Sequence, residues 1–410
     1  MQRRDFLKSM TLAGSAALVL PLGTESWAAT GDASARKLIV VMLRGAIDGL
    51  NVVAPYADPA YAALRPGIAL AAPGADAGVI DLDGYFGLHP ALADLLPLWQ
   101  ARDLAFVHAC GSPDPTRSHF DAQDYMESGT PGRKSTPDGW LNRLLAVLPG
   151  TSTPTRALSV GPVLPRILAG RFASTNLASG GATTRADLLD QPALGNAFEQ
   201  MYRGDPKLAR TYQDARSAHR EVMAAADMQE SAASAGAPLP NGFPADAARL
   251  AALMRRDPNI QMAFFALGGW DTHANQGAGR GQLANRLAPL GRGLALLRDG
   301  LGPMFADTTI VVMSEFGRTA AQNGNGGTDH GHGNVMWVLG GQVAGGKVHG
   351  NWPGLEHAQL HDGRDLAVTT DFRTVLRQIS RQHLRLDAGQ LDAVFPGMPV
   401  TSASWNLMRT

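Results

Sequence analysis

Short apolar runs separated by helical patterns constrain the fold of this chain more than any other feature. The runs are KLIVVML (37–43), LAFVHA (104–109), MAFFAL (262–267), TTIVVM (308–313) and VMWVLG (335–340). Runs that are apolar throughout are typical of central strands that are covered on both faces. The helical patterns lie at 89–100, at 281–301 and from about Asp371 onward. This alternation predicts an α/β domain with a mostly parallel central sheet flanked by helices.

Residues 190–256 interrupt this alternation. The segment is charged and favours helix, apart from the loop sequence SAGAPLPNGFP. We interpret it as a helical insertion in a single domain that spans residues 30–410. Two roles remain open for the insertion: a cap over a binding site, or a surface addition without a role in function.

The N-terminus has the pattern of a twin-arginine signal peptide over residues 1–29. Arg3, Arg4, Phe6, Leu7 and Lys8 match the export motif, and a mostly apolar stretch and the small-residue sequence SWAAT follow. The apolar stretch is shorter than the ~20 residues that a membrane-spanning helix needs. The sequence therefore predicts export by the twin-arginine translocase to the periplasm or the exterior, with no membrane span in the mature form.

Composition excludes some classes of function. The 410 residues are 45% hydrophobic and carry a formal net charge of zero, so no basic surface for nucleic acid is expected. The chain contains neither a glycine fingerprint that opens a helix after a strand nor a P-loop lysine pattern, which argues against a nucleotide-binding domain.

Cys110 is the only cysteine. It cannot form an internal disulfide, and we expect it to be a buried apolar residue.

Charged and imidazole side chains follow three of the predicted strands. They are Arg44 and Asp48 after the first, Asp271 and His273 after the run at 262–267, and Glu315 and Arg318 after the run at 308–313, with Asp329, His330 and His332 in the glycine-rich loop NGNGGTDHGHGN. The carboxyl ends of parallel strands share one edge of a sheet, where ligands bind in such folds. Acids and imidazoles that meet there are suitable ligands for a divalent cation.

Each of these residues also has a simpler interpretation. Asp48 precedes a glycine and fits a turn or a helix cap. Glu315 and Arg318 could pair with each other, and His330 and His332 could lie in a loop that faces water. The recurrence of such residues after separate strands favours a shared polar site.

A second cluster, SPDPTRSHFDAQDYMESG (112–129), follows the run at 104–109. Ser118 with Asp121 three residues later resembles a helix cap. The same position would also suit a nucleophile or an anion contact, because a helix N-terminus, Arg117 and His119 all favour negative charge. Ser118 and Thr116 are therefore both candidate nucleophiles, and the cap and the nucleophile are compatible.

Together these motifs resemble the Tat-exported domain-of-unknown-function family 1501. The resemblance is carried by RGAIDGLN, LHPAL, RSHFDAQDYMESG, GWLNR, GGWDTHANQ, SEFGRT, GTDHGHGN, GGKVHGNWPGL and TTDFR, in this order along nearly the whole mature chain. The family is grouped with the alkaline phosphatase-like superfamily, which includes sulfatases and phosphomutases. The resemblance implies an alkaline phosphatase/sulfatase-like α/β core with a two-metal site at the strand ends.

The superfamily pattern transfers to this chain only in part. Asp48 resembles the acid that bridges a metal and the nucleophile, Asp271 and His273 resemble an Asp and a His ligand, and His330 resembles a late histidine ligand. The usual Asp-His pair after a core strand is Glu315-Phe316 here, and a phenylalanine cannot bind a metal. His332, Asp329 or His119 are the candidates for the missing ligand.

Two hypotheses of function follow. In the first, an exported enzyme hydrolyses a phosphate or sulfate ester of a small molecule or a polymer with Zn²⁺, Mn²⁺, Mg²⁺ or Ca²⁺. Ser118, His119 and Arg318 are its candidate catalytic residues, and Arg44 and Arg117 its candidate anion-binding residues. In the second, the chain keeps the fold as a catalytically degenerate binding or assembly protein, which the departure at Glu315-Phe316 favours.

Overall fold

The computed structural model describes residues 36–150, 153–179, 233–399 and 405–409. The predicted signal peptide (1–29) lies outside the described residues. So does most of the predicted insertion, residues 190–232.

Two sheets organise the described residues. Their strands are β1 (Lys37–Leu43), β2 (Val53–Ala54), β3 (Ile80–Asp81), β4 (Gly87–Leu88), β5 (Leu104–Gly111), β6 (Ala157–Val160), β7 (Thr175–Leu177), β8 (Met262–Leu267), β9 (Thr308–Ser314), β10 (Asn334–Gly340), β11 (Lys347–His349) and β12 (Thr370–Asp371). The five strands predicted from apolar runs are β1, β5, β8, β9 and β10. They are fully buried, which explains their continuous apolar sequences.

The central sheet has the strand order β11-β5-β10-β9-β1-β8-β6-β7, and β12 pairs with β5. All its pairings are parallel except those of β10, which runs antiparallel to both β5 and β9. The carboxyl ends of β1, β5, β8 and β9 therefore lie at one edge. Because β10 returns from that edge, the loop between β9 and β10 also lies there. The remaining strands form a small antiparallel sheet in the order β2-β4-β3.

Helices cover the central sheet. They are α1 (Gly49–Val52), α2 (Pro59–Leu64), α3 (Leu96–Gln100), α4 (His119–Ser128), α5 (Trp140–Val147), α6 (Phe243–Arg256), α7 (Gln282–Leu301), α8 (Phe372–Gln382) and α9 (Ala388–Val394), with 3₁₀ turns at Pro90–Leu95, Pro154–Arg156, Arg166–Leu168, Pro240–Gly242, Gly302–Asp307 and His357–Gln359. The pattern at 281–301 matches α7, and Asp371 caps α8 by accepting a hydrogen bond from the Arg373 amide. The pattern at 89–100 is a 3₁₀ turn followed by α3.

Alternate residues of β1 point to opposite faces of the sheet and into two hydrophobic cores. Ile39 and Val41 pack in one core with Leu287 and Leu294 of α7. Val40 lies in the other core, which includes residues of α5 and α8. Burial on both faces confirms the predicted α/β architecture with a mostly parallel sheet between helices.

Helix α6, at the described end of the predicted insertion, packs in the core that contains Ile39 and Val41. Helix α6 packs along α7, and a Cβ atom on Gly293 would lie 2.2 Å from Cδ1 of Phe243, so the helices are in close contact.

Cys110 is buried in the second core as expected, and burial raises the pKa of its thiol. In the described part of the chain, no helix has the length and apolar character that a membrane crossing requires.

Candidate metal centre

Four side chains meet at the edge where β1, β5, β8 and β9 end. Asp271 and His273 follow β8, His119 is the first residue of α4 after β5, and His330 lies in the loop between β9 and β10. We call these four residues the histidine–aspartate cluster. Its members come from three separate segments of the chain, which follow β5, β8 and β9.

Each imidazole of the cluster directs its Nε2 atom toward the Asp271 carboxylate. The distances to the nearest Asp271 oxygen are 3.0 Å for His273, 3.2 Å for His330 and 3.5 Å for His119. Nε2 of His330 also lies 3.0 Å from Nε2 of His119 and 3.1 Å from Nε2 of His273. Three ring nitrogens and one carboxylate therefore share a small volume.

The opposite ring nitrogen of each histidine faces a hydrogen-bond acceptor. Nδ1 of His119 lies 2.8 Å from Oε1 of Glu315. Nδ1 of His273 lies 3.2 Å from Oδ1 of Asp329, and Nδ1 of His330 lies 3.1 Å from the carbonyl oxygen of Arg117. An acceptor at Nδ1 favours the tautomer in which Nδ1 carries the proton, and the lone pair on Nε2 then points into the cluster.

Converging lone pairs repel one another unless a positive charge lies between them. Four ligands around Zn²⁺ at about 2.0–2.1 Å would lie ~3.4 Å from one another. The five separations that involve Asp271 or His330 are 3.0–3.5 Å, which is close to that value. The ligand atoms of His119, Asp271 and His330 all lie within 4.8 Å of one another, so these residues could hold a metal ion.

The charges of the cluster are strongly coupled when no metal is bound. Burial by itself would lower the pKa of His119, but hydrogen bonds to Asp271 and Glu315 outweigh it and raise the pKa to about 9. Burial by itself would raise the pKa of Asp271, but hydrogen bonds from the three histidines hold it well below its usual range. A proton and a metal ion thus compete for the same Nε2 atoms.

Glu315 orients His119 and does not join the cluster directly. It is fully buried, and its Oε1 atom accepts hydrogen bonds from the Gly45 amide and from Nε2 of Gln123 besides its contact with His119. Oε2 accepts from the Ser314 hydroxyl. A carboxylate with this many donors is a fixed acceptor for the outer nitrogen of a metal-binding histidine. Gln123 was not among the residues that the sequence analysis selected.

Arg318 contacts the cluster from the side of Asp271. Its side chain is buried, and Nη1 donates to Oδ1 of Asp271 at 2.7 Å. Arg318 and His330 face each other in an isolated antiparallel bridge, so the backbone pairing of this loop places both residues at the site.

The glycines of the loop allow it to lie against other backbone segments. A Cβ atom on Gly331 would lie 2.4 Å from the carbonyl group of Arg318. A Cβ atom on Gly327 would lie 2.4 Å from the carbonyl carbon of His273. Only glycine fits at such distances, which explains why a loop that carries Asp329 and His330 is otherwise so poor in side chains.

Asp48 lies outside the group of converging ligand atoms. It is fully buried, and its Oδ2 atom accepts from Nη1 of Arg65 and from Nε2 of Gln276, both at 2.6 Å. Its side chain makes no cap hydrogen bond to α1, although Asp48 is the N-cap residue. The sequence gives no local signal for this ion pair, because Arg65 lies 17 residues after Asp48, at the C-terminal end of α2.

His332 points to a different place from His330. Its Nε2 atom lies 3.0 Å from the carbonyl oxygen of Ser112, and its ring lies 4.7 Å from the ring of His361. Burial lowers the pKa of His332. The two histidines of the DHGH sequence therefore occupy different environments, and His119 supplies the third imidazole instead.

The predicted anion-binding arginines have acidic partners. Arg44 forms a buried ion pair with Glu127. Arg117 pairs with the buried carboxylate of Asp365 and remains partly exposed, while its carbonyl oxygen faces His330. Arg117 is thus adjacent to the cluster, whereas Arg44 pairs with Glu127 of helix α4.

Ser118 is exposed and is the N-cap of α4, directly before His119. Its Oγ atom accepts a hydrogen bond of 3.4 Å from the Asp121 amide, which confirms the predicted cap. Oγ1 of Thr116 accepts from the Ser118 amide.

Phe316 packs its ring 4.8 Å from that of His119 and 5.2 Å from that of His330, so this residue forms an apolar wall beside the cluster.

Residues 35–395 match the family described as "Protein of unknown function (DUF1501)". The chain belongs to the DUF1501 family. The match includes every member of the histidine–aspartate cluster, and it agrees with the resemblance seen in the sequence motifs. No curated protein matches this DUF1501 chain.

Several solved structures resemble this DUF1501 protein at low identity. The lipoteichoic acid synthase LtaP from Listeria monocytogenes is 9% identical, with a TM-score of 0.38, over 88% of this chain and 76% of that one. The C-terminal periplasmic domain of EptC from Escherichia coli, in a complex with Zn, is 8% identical, with a TM-score of 0.40, over 91% and 92%. Ps i-CgsB, in complex with a neocarrahexaose, is 12% identical, with a TM-score of 0.36, over 87% and 73%.

Proposed function

We propose that this DUF1501 protein is an exported, metal-dependent hydrolase of a phosphate or sulfate ester. One observation carries the proposal: three Nε2 atoms converge on Asp271 while each Nδ1 atom faces a hydrogen-bond acceptor. This arrangement is expected of histidines that bind a metal, because the outer hydrogen bond fixes the tautomer and the ring orientation.

The residues around the cluster suit an anionic ester. A divalent cation bound there would neutralise ester oxygens and activate a hydroxyl group or a water molecule. The partly exposed guanidinium of Arg117 lies next to the cluster, and a guanidinium matches the oxygens of phosphate and sulfate. In the described part of the chain, Nη2 of Arg318 is buried without a hydrogen-bond partner, which leaves one unused donor next to Asp271.

Ser118 is the side chain that we propose as the nucleophile. Its hydroxyl group is exposed at the N-terminus of α4, one residue before a member of the cluster, and its cap hydrogen bond is long. The helix terminus favours the negative charge that develops on an attacking oxygen. Water is the alternative nucleophile, and replacing Ser118 separates the two.

A binding or assembly protein is the second candidate. The observation that favours it is the buried pair of Arg65 and Asp48, since the resemblance assigns Asp48 a place between metal and nucleophile. In this case the cluster binds a structural metal, or the loops around it bind a partner or a polymer, and no ester is turned over.

Export is part of the proposal as well. It rests on the twin-arginine motif at Arg3 and Arg4, followed by an apolar stretch and a small-residue cleavage region. The translocase would then be a transient partner. Processing after about residue 29 and recovery from the periplasm would support this part, and an Arg3→Lys, Arg4→Lys variant that is still exported would contradict it.

Metal analysis and an ester panel test the proposal together. The purified protein, loaded with Zn²⁺ or Mn²⁺, is assayed with an aryl phosphate, a bis-aryl phosphate and an aryl sulfate. We expect bound metal and turnover that chelation abolishes. Asp271→Asn should lose both, and Ser118→Ala should keep the metal but lose activity by several orders of magnitude.

His357→Gln is the matched control, because His357 is an exposed histidine on a 3₁₀ turn. It should behave like the wild type. A metal-loaded protein that turns over none of the esters would favour the binding protein, and a protein that binds no metal would exclude the metal-dependent hydrolase.

A further inference from the structure

We propose that the centre holds one divalent cation and that two buried arginines, Arg65 and Arg318, neutralise the acids that a second cation would need. This inference rests on the proposed metal centre. It departs from the two-metal site that the resemblance implies.

The first argument comes from Asp48. Its Oδ2 atom is held by Arg65, whose side chain is completely buried. The other donors of Arg65 are also occupied: Nη1 donates to Oδ1 of Asn51, Nε to the carbonyl oxygen of Ala320, and Nη2 to that of Thr319. Arg65 is thus fixed at Oδ2 and compensates the charge of the Asp48 carboxylate, while Oδ1 of Asp48 is buried without a hydrogen-bond partner among the described residues.

The second argument is a hydrogen-bonded chain that joins Asp48 to Asp271. Gln276 donates to Asp48 through Nε2, and its Oε1 atom accepts from the hydroxyl group of Thr328. The Thr328 hydroxyl accepts from Nε of Arg318, and Nη1 of Arg318 donates to Asp271. Each of the two carboxylates thus has one guanidinium as its counterion. A second divalent ion between them would meet carboxylates whose charge is already compensated, so its attraction to the site would be weak.

The third argument concerns the segment after β9. Oε1 of Glu315 already accepts hydrogen bonds from the Gly45 amide and from Gln123 and faces Nδ1 of His119. Phe316 places an apolar ring at the position where the resemblance expects a histidine. His332 is turned toward Ser112. Within the described residues, three or more such ligand atoms converge only in the histidine–aspartate cluster, where His119, Asp271 and His330 lie within 4.8 Å of one another and His273 adjoins the last two.

The inference has a chemical consequence. Part of the positive charge at this edge of the sheet belongs to the protein itself and stays in place when the metal is removed. Chelation should therefore remove the metal without disrupting the Asp48–Arg65 pair, so the metal-free protein should keep its fold.

Metal stoichiometry tests the inference directly. The full-length mature protein is incubated with excess Zn²⁺, freed of unbound metal and analysed by native mass spectrometry and by elemental analysis. We expect one Zn²⁺ per chain in the wild type. Two ions per chain would overturn the inference and leave the proposed metal-dependent function intact, whereas a protein without bound metal would overturn both.

Variants locate the ion. Asp271→Asn should bind none. Asp48→Asn should still bind one, whereas a shared two-metal site predicts a loss. Because Asp48→Asn leaves Arg65 buried without its counterion, the double variant Asp48→Asn, Arg65→Gln is measured alongside it, with folding checked by circular dichroism.

Asp58→Asn is the matched control for both variants. Asp58 is another buried aspartate, which caps α2 and accepts a hydrogen bond from Tyr85. It should keep one Zn²⁺. Loss of the ion in a folded Asp48→Asn or double variant, with the Asp58→Asn control unaffected, would contradict the inference.

Discussion

The Nδ1 atom of His119 lies 2.8 Å from Oε1 of Glu315, and both side chains are buried where β5 and β9 end. The contact joins a residue at the start of α4 to a residue 196 positions later. It turns the Nε2 atom of His119 toward Asp271 and His330. Glu315 thus orients the imidazole of His119 and is not itself a ligand in the cluster.

Glu315→Gln should weaken metal binding by about 10- to 100-fold, because removing the charge of a partner behind a metal-binding histidine has effects of this size. Competition with a chromophoric chelator measures the Zn²⁺ affinity. Glu127→Gln is the control, since Glu127 is also a buried glutamate but pairs with Arg44. Equal affinity losses in the two variants would mean that the effect is one of general destabilisation.

His273→Gln should lower the Zn²⁺ affinity at least ~10-fold, whereas His332→Gln should leave it within about twofold of the wild type. The reason is geometric: Nε2 of His273 lies 3.0 Å from Asp271, and Nε2 of His332 faces the carbonyl oxygen of Ser112. Isothermal titration of the metal-free proteins checks both values. A large loss in His332→Gln would reverse the assignment of these two histidines.

Arg65→Met should destabilise the fold by about 3–5 kcal/mol, because it leaves the buried carboxylate of Asp48 without its counterion. The double variant Asp48→Asn, Arg65→Met should recover part of this loss, since the uncompensated charge is gone. Urea unfolding of the metal-free proteins gives the free energies. A single variant as stable as the wild type would show that the pair is not needed for folding.

The free energy of unfolding should fall as the pH drops from about 6.5 toward 4. Burial lowers the pKa of His89, His108 and His383 from the ordinary value of 6.5 to about 4. These residues stay neutral in the folded protein, while the unfolded chain takes up protons below pH 6.5. The contribution of these three histidines to stability is therefore complete above that pH and is lost below it with a slope of up to ~1.4 kcal/mol per pH unit for each histidine.

His383→Gln isolates one of these contributions. Nε2 of His383 lies 2.9 Å from the carbonyl oxygen of Lys37, at the end of β1 opposite the metal centre, and a glutamine amide can keep that hydrogen bond. The difference in stability between the variant and the wild type should change between pH 6.5 and 4 in favour of the variant. His357→Gln serves as the exposed control, and a pH-independent difference for His383→Gln would refute the prediction.

Much of the fold could be predicted from the sequence because buried strands leave a local signature. The bounds of β1 and β8 agree with the apolar runs, and those of β5, β9 and β10 agree within two residues. The antiparallel direction of β10 was not predictable in this way, because an apolar run carries no information about direction. The predicted last helix is followed by α9, which is only seven residues long and carries little periodicity. The predicted helical insertion remains largely outside the described residues, and α6 at its end packs in the core.

The sequence by itself determined which chemical groups reach the edge of the sheet, because parallel strands end together and the residues after them follow from the chain order. Only the tertiary structure decided how those groups pair. Asp48 pairs with Arg65, His332 turns away, and His119 completes a cluster with Asp271, His273 and His330. The physical reason is that a strand end fixes the position of a backbone, whereas the direction of a side chain depends on partners that the fold brings in from distant parts of the sequence.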